Sequence, residues 1–246
     1  MPSDLTPRNR LLAALAPDDL GRFAPHLDHV ELAHGAVLHA PPGGVDHVWF
    51  PEGGAVSIAV VLRRGGAEGA VVGLEGAVGL VDALGDGRAS ARAIVQVPGP
   101  ALRLPVDPLL AALEASAALR RLCAGYVQAF VAEALHSAAC HAAHKAEARL
   151  ARWLLLVQDR VADGTALPLG QAFLALMLGV RRTTVTEVAG RLQGAGLIAY
   201  RQGRIHVLDR VGLEAAACEC YGAIRRCYGR LAADGGTGAG SGGDTP

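Results

Sequence analysis

The residues best suited to binding a charged partner lie between positions 169 and 192. Arg181, Arg182, Thr183 and Thr184 follow a glycine and precede an apolar helical pattern. Arginine binds phosphate and guanine through paired N–H donors, and threonine hydroxyls bond to phosphates or base edges. The spacing predicts two short helices joined by a tight turn, with these four side chains placed where a recognition helix enters a DNA groove.

Each of the two predicted helices has an apolar face with which it can pack against the other. The face of the first helix comprises Phe173, Leu174, Leu176 and Leu178, and that of the second comprises Val185, Val188, Ala189 and Leu192. Helices packed in this way leave Arg182, Thr183, Thr186 and Glu187 on the open side. Gln171, at the start of the first helix, completes the predicted DNA-contacting set on these helices.

A β-hairpin is predicted directly after the two helices. Residues 197–201 and 204–208 alternate between apolar and polar side chains around Gln202 and Gly203, which is typical of two strands and a tight turn. Arg201 and Arg204 lie at its tip, where a wing would meet the DNA backbone. An ordinary helical hairpin with solvated arginines is the alternative, and the wing argues against it.

The elements that must position these residues change in character along the chain. An amphipathic helix is predicted at 9–20, and a long helix at 118–144 has an apolar stripe at Leu119, Leu122, Tyr126, Phe130, Val131 and Leu135. So narrow a stripe predicts pairing with a second copy. Short strands are predicted at 29–32, 37–39, 47–50, 55–62, 70–73, 92–97 and 101–104, with turn residues between them. Further helices are predicted at 107–113, 148–161 and 211–231.

Composition and charge favour a globular protein with a basic C-terminal part. The 246 residues are 51% hydrophobic and 19% charged, with a net charge of zero. Residues 181–231 contain nine arginines and four acidic residues, whereas residues 1–110 contain eight arginines and twelve acidic residues. No segment offers the apolar run of about 20 residues that spans a bilayer, and no secretory signal is visible. We therefore expect a cytoplasmic protein with reduced cysteines and no membrane contact.

The order of these elements resembles the Crp/Fnr family of transcription regulators. The specific motifs are MLGVRRTTV at 177–185, AGLIAYR at 195–201, DRVGLE at 209–214 and CECY at 218–221. The resemblance implies an α+β fold. It comprises an antiparallel β-roll like a cyclic-nucleotide-binding domain at 10–115, a dimerisation helix and hinge at 116–145, and a winged helix-turn-helix at 146–231. A disordered tail is expected at 232–246.

The resemblance also implies partners and roles. Arg182, Thr183 and Thr186 would reach DNA bases, and Arg181 and Thr184 would lie nearer phosphates. Family members bind two-fold symmetric, palindromic sites in double-stranded DNA as homodimers, and RNA polymerase is a further implied partner. No catalytic motif is visible, so we do not expect an enzyme. An enzyme that uses the pocket of the β-roll is the remote alternative.

The residues of the predicted β-roll that could bind an effector match the family pattern only in part. By resemblance, Gly79 corresponds to the glycine of the cyclic-nucleotide loop, but Leu80 stands where a ribose-binding glutamate is expected. Arg88 and Arg92 are the candidates for phosphate contact, and neither directly precedes Ser or Thr. We expect an unidentified small-molecule effector, or none, rather than cyclic AMP bound in the usual way.

Metal, haem or redox control is the alternative. His136, Cys140 and His144 recur every four residues along one helix face, with His141 adjacent, and could bind a metal or a haem. No metal site is predicted, because a hinge role suits these residues better. The chain has no cysteine before Cys123, unlike the Fnr-type branch. Cys218, Cys220 and Cys227 are expected to be buried structural residues on the last helix, the first two pointing in different directions.

Overall fold

The structure, a computed structural model, describes residues 6–63, 65–161 and 166–236, with backbone only for 232–236. The N-terminal half is an antiparallel β-roll, as predicted. Its strands are β1 (Asp28–Leu32), β2 (Val37–His39), β3 (His47–Pro51), β4 (Ala55–Val61), β5 (Gly66–Val72), β6 (Arg92–Val97) and β7 (Gly99–Pro105). They form two antiparallel sheets, with strand orders β1-β7-β3 and β2-β6-β4-β5.

Short helices close the ends of the roll. The predicted helix at 9–20 is two helices, α1 (Arg10–Ala13) and α2 (Pro17–Phe23). Pro17 starts the second helix because its ring disfavours helical backbone at the preceding residue, and Ala16 is extended, with ψ 147°. A further turn of helix, α3 (Leu80–Ala83), lies between β5 and β6 and was not predicted.

Three helices lead out of the roll: α4 (Val106–Ala115), α5 (Ala117–Ala143) and α6 (Ala146–Arg160). The Ser116 hydroxyl caps the long helix α5 by accepting a hydrogen bond from the backbone N–H of Leu119 at 3.1 Å. The predicted stripe of α5 is corrected in part. Leu119, Leu122, Tyr126 and Phe130 pack into the core of the same chain, and only Val131 and Leu135 are exposed.

The C-terminal part contains a small three-stranded sheet and two pairs of helices. Its elements are β8 (Leu167–Pro168), α7 (Gln171–Leu178), α8 (Arg182–Gly194), β9 (Ile198–Arg201), β10 (Arg204–Val207), α9 (Arg210–Ala216) and α10 (Cys220–Gly236). The sheet order is β8-β10-β9, and both pairings are antiparallel. None of the described helices combines the length and hydropathy that crossing a membrane requires.

The prediction of a single last helix at 211–231 is wrong. The helix breaks after Ala216, and the backbone of Ala217 is extended, with φ −75° and ψ 154°. No glycine or proline marks the break in the sequence. Tertiary packing causes it, because α9 lies against α6 whereas α10 lies along α5. Helix α10 then runs to Gly236, into the predicted tail, and residues 237–246 lie outside the described part.

One continuous apolar core joins the roll to the C-terminal unit. It includes Phe23 and Leu102 from the roll, Tyr126 from α5, and Trp153 and Leu154 from α6, all at most 1% exposed. The Tyr126 hydroxyl donates to the carbonyl oxygen of Ala77 at 2.9 Å, so this buried polar group is satisfied. The core therefore fixes the position of α6, and of the elements packed on it, relative to the roll.

Candidate nucleic-acid interface

Helices α7 and α8 meet at a tight turn on Gly179. This residue has φ 60°, a left-handed conformation that glycine adopts without steric cost, and it ends α7. The apolar face of α8 comprises Val185, Val188, Ala189 and Leu192, as predicted. The buried residues of α7 are Leu174, Ala175, Met177 and Leu178, while Phe173 and Leu176 are half-buried.

The first turn of α8 faces solvent. Arg181, Arg182, Thr183 and Thr186 are exposed and Thr184 is half-buried. Within the described part of the chain no side chain caps the helix, so the N–H groups of its first turn have no side-chain acceptor there. These donors and the helix dipole favour an anion at this end. The Thr186 hydroxyl donates to the carbonyl oxygen of Arg182 at 3.1 Å and keeps its lone pairs for another donor.

The wing is a two-residue hairpin between β9 and β10. Gln202 has φ 51° and Gly203 has φ 72°, which matches the positive φ at both central positions of a type I′ turn. Arg201 and Arg204 are opposite each other in the register of the two strands. Both side chains therefore extend from the residues that flank the turn. The Gly203 carbonyl accepts a hydrogen bond from the Leu169 N–H at 2.7 Å, which anchors the wing to the segment before α7.

A shallow groove brings the two predicted contact regions together. It is lined by Gln171 at the start of α7, Arg182 at the start of α8, and Tyr200 and Gln202 of the wing. The Tyr200 hydroxyl donates to the Leu169 carbonyl oxygen at 2.9 Å and so holds the groove wall. Arg181, Arg182, Arg201 and Arg204 are all exposed, and none forms an ion pair with the described residues. These four guanidinium groups therefore make the surface basic.

The four residues predicted to bind an effector do not lie together in one pocket. Gly79 has φ 85° and lines a cavity of about 150 Å³ between the roll and α5. Leu80 is buried in the core, and Arg88 and Arg92 are exposed residues that do not line this cavity. The cavity is smaller than the roughly 300–1,000 Å³ of typical ligand pockets. Its lining is mostly apolar.

His39 and Asp82 are two of the polar residues that line this cavity. Burial lowers the pKa of His39, against the opposing effect of the nearby Asp82 carboxylate. His39 Nε2 lies 3.7 Å from Asp82 Oδ2. The neutral imidazole is therefore favoured, and the wall presents little positive charge to an anionic ligand.

A second cavity, of about 320 Å³, lies where α1, α5, α6 and α10 meet. Its polar lining includes Arg10, Glu75, Asp159, Arg160 and Arg225. Burial raises the pKa of Glu75, and the Arg160 guanidinium opposes this by lowering it. This cavity could not be predicted from local patterns, because its lining residues lie far apart along the chain.

Two cysteines distant in the sequence join Cys140 and His144 in a cluster that was not predicted. The structure brings together Cys140, His144, Cys218 and Cys220, whose ligand atoms all lie within 4.8 Å of one another. The expectation that Cys218 and Cys220 point in different directions from one helix is wrong, because Cys218 lies in the break before α10. The prediction of no metal site stays a prediction, and the four residues brought together here are of types that bind metals. His136 is not part of the cluster.

Comparison with known proteins supports this architecture. Residues 148–216 match the sequence profile of the Crp-like helix-turn-helix domain. FixK2 from Bradyrhizobium japonicum superimposes with a TM-score of 0.65 at 17% identity, covering 78% of this chain and 98% of that protein. The c-di-GMP-responsive regulator CLP of Xanthomonas campestris gives 0.62 at 16% identity over 79% and 100%. TTHA1359, a Crp/Fnr-family regulator from Thermus thermophilus, gives 0.60 at 24% over 77% and 98%.

Residues 148–216 are thus similar to a Crp-like helix-turn-helix domain, and the chain has the fold of solved Crp/Fnr-type transcription regulators. The predicted fold class is confirmed by these matches. A comparison with curated protein sequences finds no match.

Proposed function

We propose that this chain is a homodimeric transcription regulator that binds specific, two-fold symmetric sites in double-stranded DNA. The observation that supports it is the basic surface at Arg181, Arg182, Arg201 and Arg204, which lies where the uncapped end of α8 meets the wing. Four guanidinium groups that form no ion pair with the described residues, together with the N–H donors of the first turn of α8, suit phosphates and guanine edges. The proposed role on DNA accords with the cytoplasmic location that the sequence predicts.

In this proposal, Arg182 and Thr183 reach base edges in the major groove, with Thr186 one turn further along α8. Arg181 and Thr184 bind phosphates beside the helix end, where the dipole adds to the attraction. Gln171 contacts the backbone across the groove from Arg182. Arg201 and Arg204 bind flanking phosphates from the wing.

The homodimer is supported by a seam on the free face of α5. Six exposed residues follow the alternating four- and three-residue spacing of a coiled coil: Ala124, Gln128, Val131, Leu135, Ala138 and Ala142. Val131 is 46% exposed and Leu135 66%, which is unusual for large apolar side chains on a helix otherwise packed into its own chain. A second copy of α5 would cover them and set two recognition helices about one DNA turn apart.

An effector is the remaining part of the proposal. The 320 Å³ cavity borders α5, α6 and α10, so a small molecule there would contact both the long helix and the helix that supports the DNA-binding unit. A ligand that binds one arrangement of these helices more tightly would shift the population toward it.

Arg182→Ala is expected to weaken binding to the preferred duplex by about 1–3 kcal/mol, or roughly 5- to 150-fold. The loss follows from removing paired hydrogen bonds to a base edge. Fluorescence anisotropy of labelled duplex measures it. Arg22→Ala is the matched control, since Arg22 is an exposed arginine on α2, outside the proposed surface. Equal affinities for the two variants would remove Arg182 from its assigned role.

A further inference from the structure

Four side chains that bind soft divalent metals meet where the end of α5 touches the junction of α9 and α10. Cys140 and His144 are one helical turn apart, and Cys218 and Cys220 come from the junction itself. Cys140 Sγ lies 3.4 Å from Cys218 Sγ, and Cys220 Sγ lies 3.8 Å from His144 Nδ1. The three cysteines are buried and His144 is half-buried.

The size of the cluster suits one tetrahedral ion. With Zn–S near 2.3 Å and Zn–N near 2.0–2.1 Å, the ligand atoms around a tetrahedral zinc stand about 3.5–3.8 Å apart. The four atoms here are within 4.8 Å of one another, so small side-chain movements complete the tetrahedron. An iron–sulfur cluster places several metal and sulfide atoms between its thiolates and needs a wider cage.

The charges around the cluster also favour an anionic metal complex. Three thiolates and one Zn²⁺ carry a net charge of −1. Arg149 and Arg152 are only 7% and 3% exposed, and neither forms an ion pair with a carboxylate within the described ranges. The Nε atom of each is buried and has no hydrogen-bond partner among the residues that the structure describes. Arg152 interacts electrostatically with all three cysteines, and Arg149 with two of them, so the pair offsets this charge.

A carboxylate orients the imidazole toward the cluster. His144 Nε2 lies 3.2 Å from Glu219 Oε1, which leaves Nδ1 facing the Cys220 sulfur. Histidine ligands of metals commonly donate their second ring N–H to a carboxylate, which fixes the tautomer and the ring orientation. Glu219 lies between the two cysteine ligands of the junction, so one short segment supplies two thiolates and the orienting group.

We propose that Cys140, His144, Cys218 and Cys220 bind one Zn²⁺ ion in a closed tetrahedral site. Four protein ligands leave no open position, which is the arrangement of structural rather than catalytic zinc. The ion links α5 to the α9–α10 junction. Helix α9 packs on α6 within the DNA-binding unit, so the site fastens that unit to the long helix.

Cobalt(II) titration of the reduced, metal-free full-length chain tests the site. Co²⁺ is expected to bind at about one equivalent per chain, with the visible bands of tetrahedral cobalt and thiolate-to-metal charge transfer in the near ultraviolet. Zn²⁺ should then displace it and abolish both signals. Cys218→Ser is expected to lose most of the charge-transfer intensity. The matched control is Cys227→Ser on α10, which keeps all four ligands and should behave as the unmodified protein does.

Glu219→Gln provides a second variant that keeps every ligand. It is expected to lower zinc affinity about 10- to 100-fold, the usual effect of removing a group that orients a metal-bound histidine. This variant and His144→Ala keep all three thiols. Their metal affinities therefore still test the site if Cys218→Ser does not fold.

Three results would overturn the site: no tetrahedral cobalt spectrum in the unmodified protein, an equal loss in Cys227→Ser, or a Cys140–Cys218 disulfide in protein that takes up no cobalt after reduction. The titration requires no DNA, so its failure leaves the proposed DNA binding untouched.

Discussion

Arg160→Met is expected to lower the free energy of unfolding by about 3–5 kcal/mol, because it leaves two carboxylates buried without their counter-ion. Arg160, the last residue of α6, binds Glu133 through two bonds of 2.9 and 2.7 Å and Glu75 through a third of 2.8 Å. The Arg160 and Glu133 side chains are 4% and 1% exposed. Methionine keeps much of the length of arginine but none of its donors.

Further hydrogen bonds to Glu133 connect this buried ion-pair network to distant parts of the chain. The Tyr228 hydroxyl of α10 donates to Glu133 Oε2 at 2.8 Å, and the Val71 N–H of β5 donates to Glu133 Oε1 at 3.2 Å. The Glu133 carboxylate on the long helix therefore connects the roll and α10 to the Arg160 guanidinium of α6. Because the charges are buried, solvent does not screen them as it screens surface pairs.

Denaturant unfolding at neutral pH measures the effect of Arg160→Met. Arg103→Met is the matched control, since Arg103 makes a 2.8 Å ion pair with Asp28 whose side chains are 38% and 58% exposed. That surface pair should contribute no more than about 1 kcal/mol. A loss in Arg160→Met as small as that in Arg103→Met would contradict the role of the buried network.

Glu68→Gln is expected to stabilise the protein at alkaline pH and to change little at pH 5. Burial raises the pKa of Glu68 to about 8, with the hydrogen bond from Trp153 and the charge of Arg152 opposing it. Trp153 Nε1 donates to Glu68 Oε1 at 2.5 Å. Glutamine keeps this acceptor and has the shape of the protonated acid.

The sign follows from proton linkage. The folded chain holds the Glu68 proton more tightly than the unfolded chain, whose pKa is near 4.5, so stability falls as pH rises from about 4.5 to about 8. At about 1.4 kcal/mol per pKa unit, the loss approaches about 5 kcal/mol above pH 8. The glutamine side chain in Glu68→Gln does not ionise, so the variant does not suffer this loss of stability.

Unfolding free energies of both proteins between pH 5 and pH 9 give the difference curve, in which titrations common to both proteins cancel. Glu114→Gln, an exposed glutamate on α4, is the control and should give a flat difference. A flat curve for Glu68→Gln would show that Glu68 is ionised in the folded protein at little cost.

The features that were predicted correctly are those encoded by local sequence patterns. The turn at Gly179, the apolar face of α8 and the hairpin at Gln202 and Gly203 each follow from residues within a few positions of one another. The strands of the roll were predicted for the same reason, since turn residues separate short apolar runs. Arg182 and Gln171 were both predicted to contact DNA, and the structure places both on the wall of one groove.

The features that were missed depend on residues distant in the sequence. Cys140 and Cys218 are 78 positions apart, and the break that turns Cys218 toward Cys140 has no glycine or proline to mark it. The same holds for Glu133 and Tyr228, which are 95 positions apart. The apolar stripe of α5 was assigned to dimer pairing, but most of it packs into the core of the same chain. The two cases look alike in sequence because one face of a long helix can pack against its own chain while another face binds a second copy.

Selection of duplexes from a random DNA pool by the full-length chain tests most directly the claim that α8 and the wing read DNA. We predict enrichment of a two-fold symmetric sequence whose half-sites lie about 10 base pairs, or one helical turn, apart. Leu135→Glu, which places a charge in the proposed α5 seam, should lose the paired half-sites. Recovery of no sequence above the starting pool by folded, unmodified protein would contradict the claim.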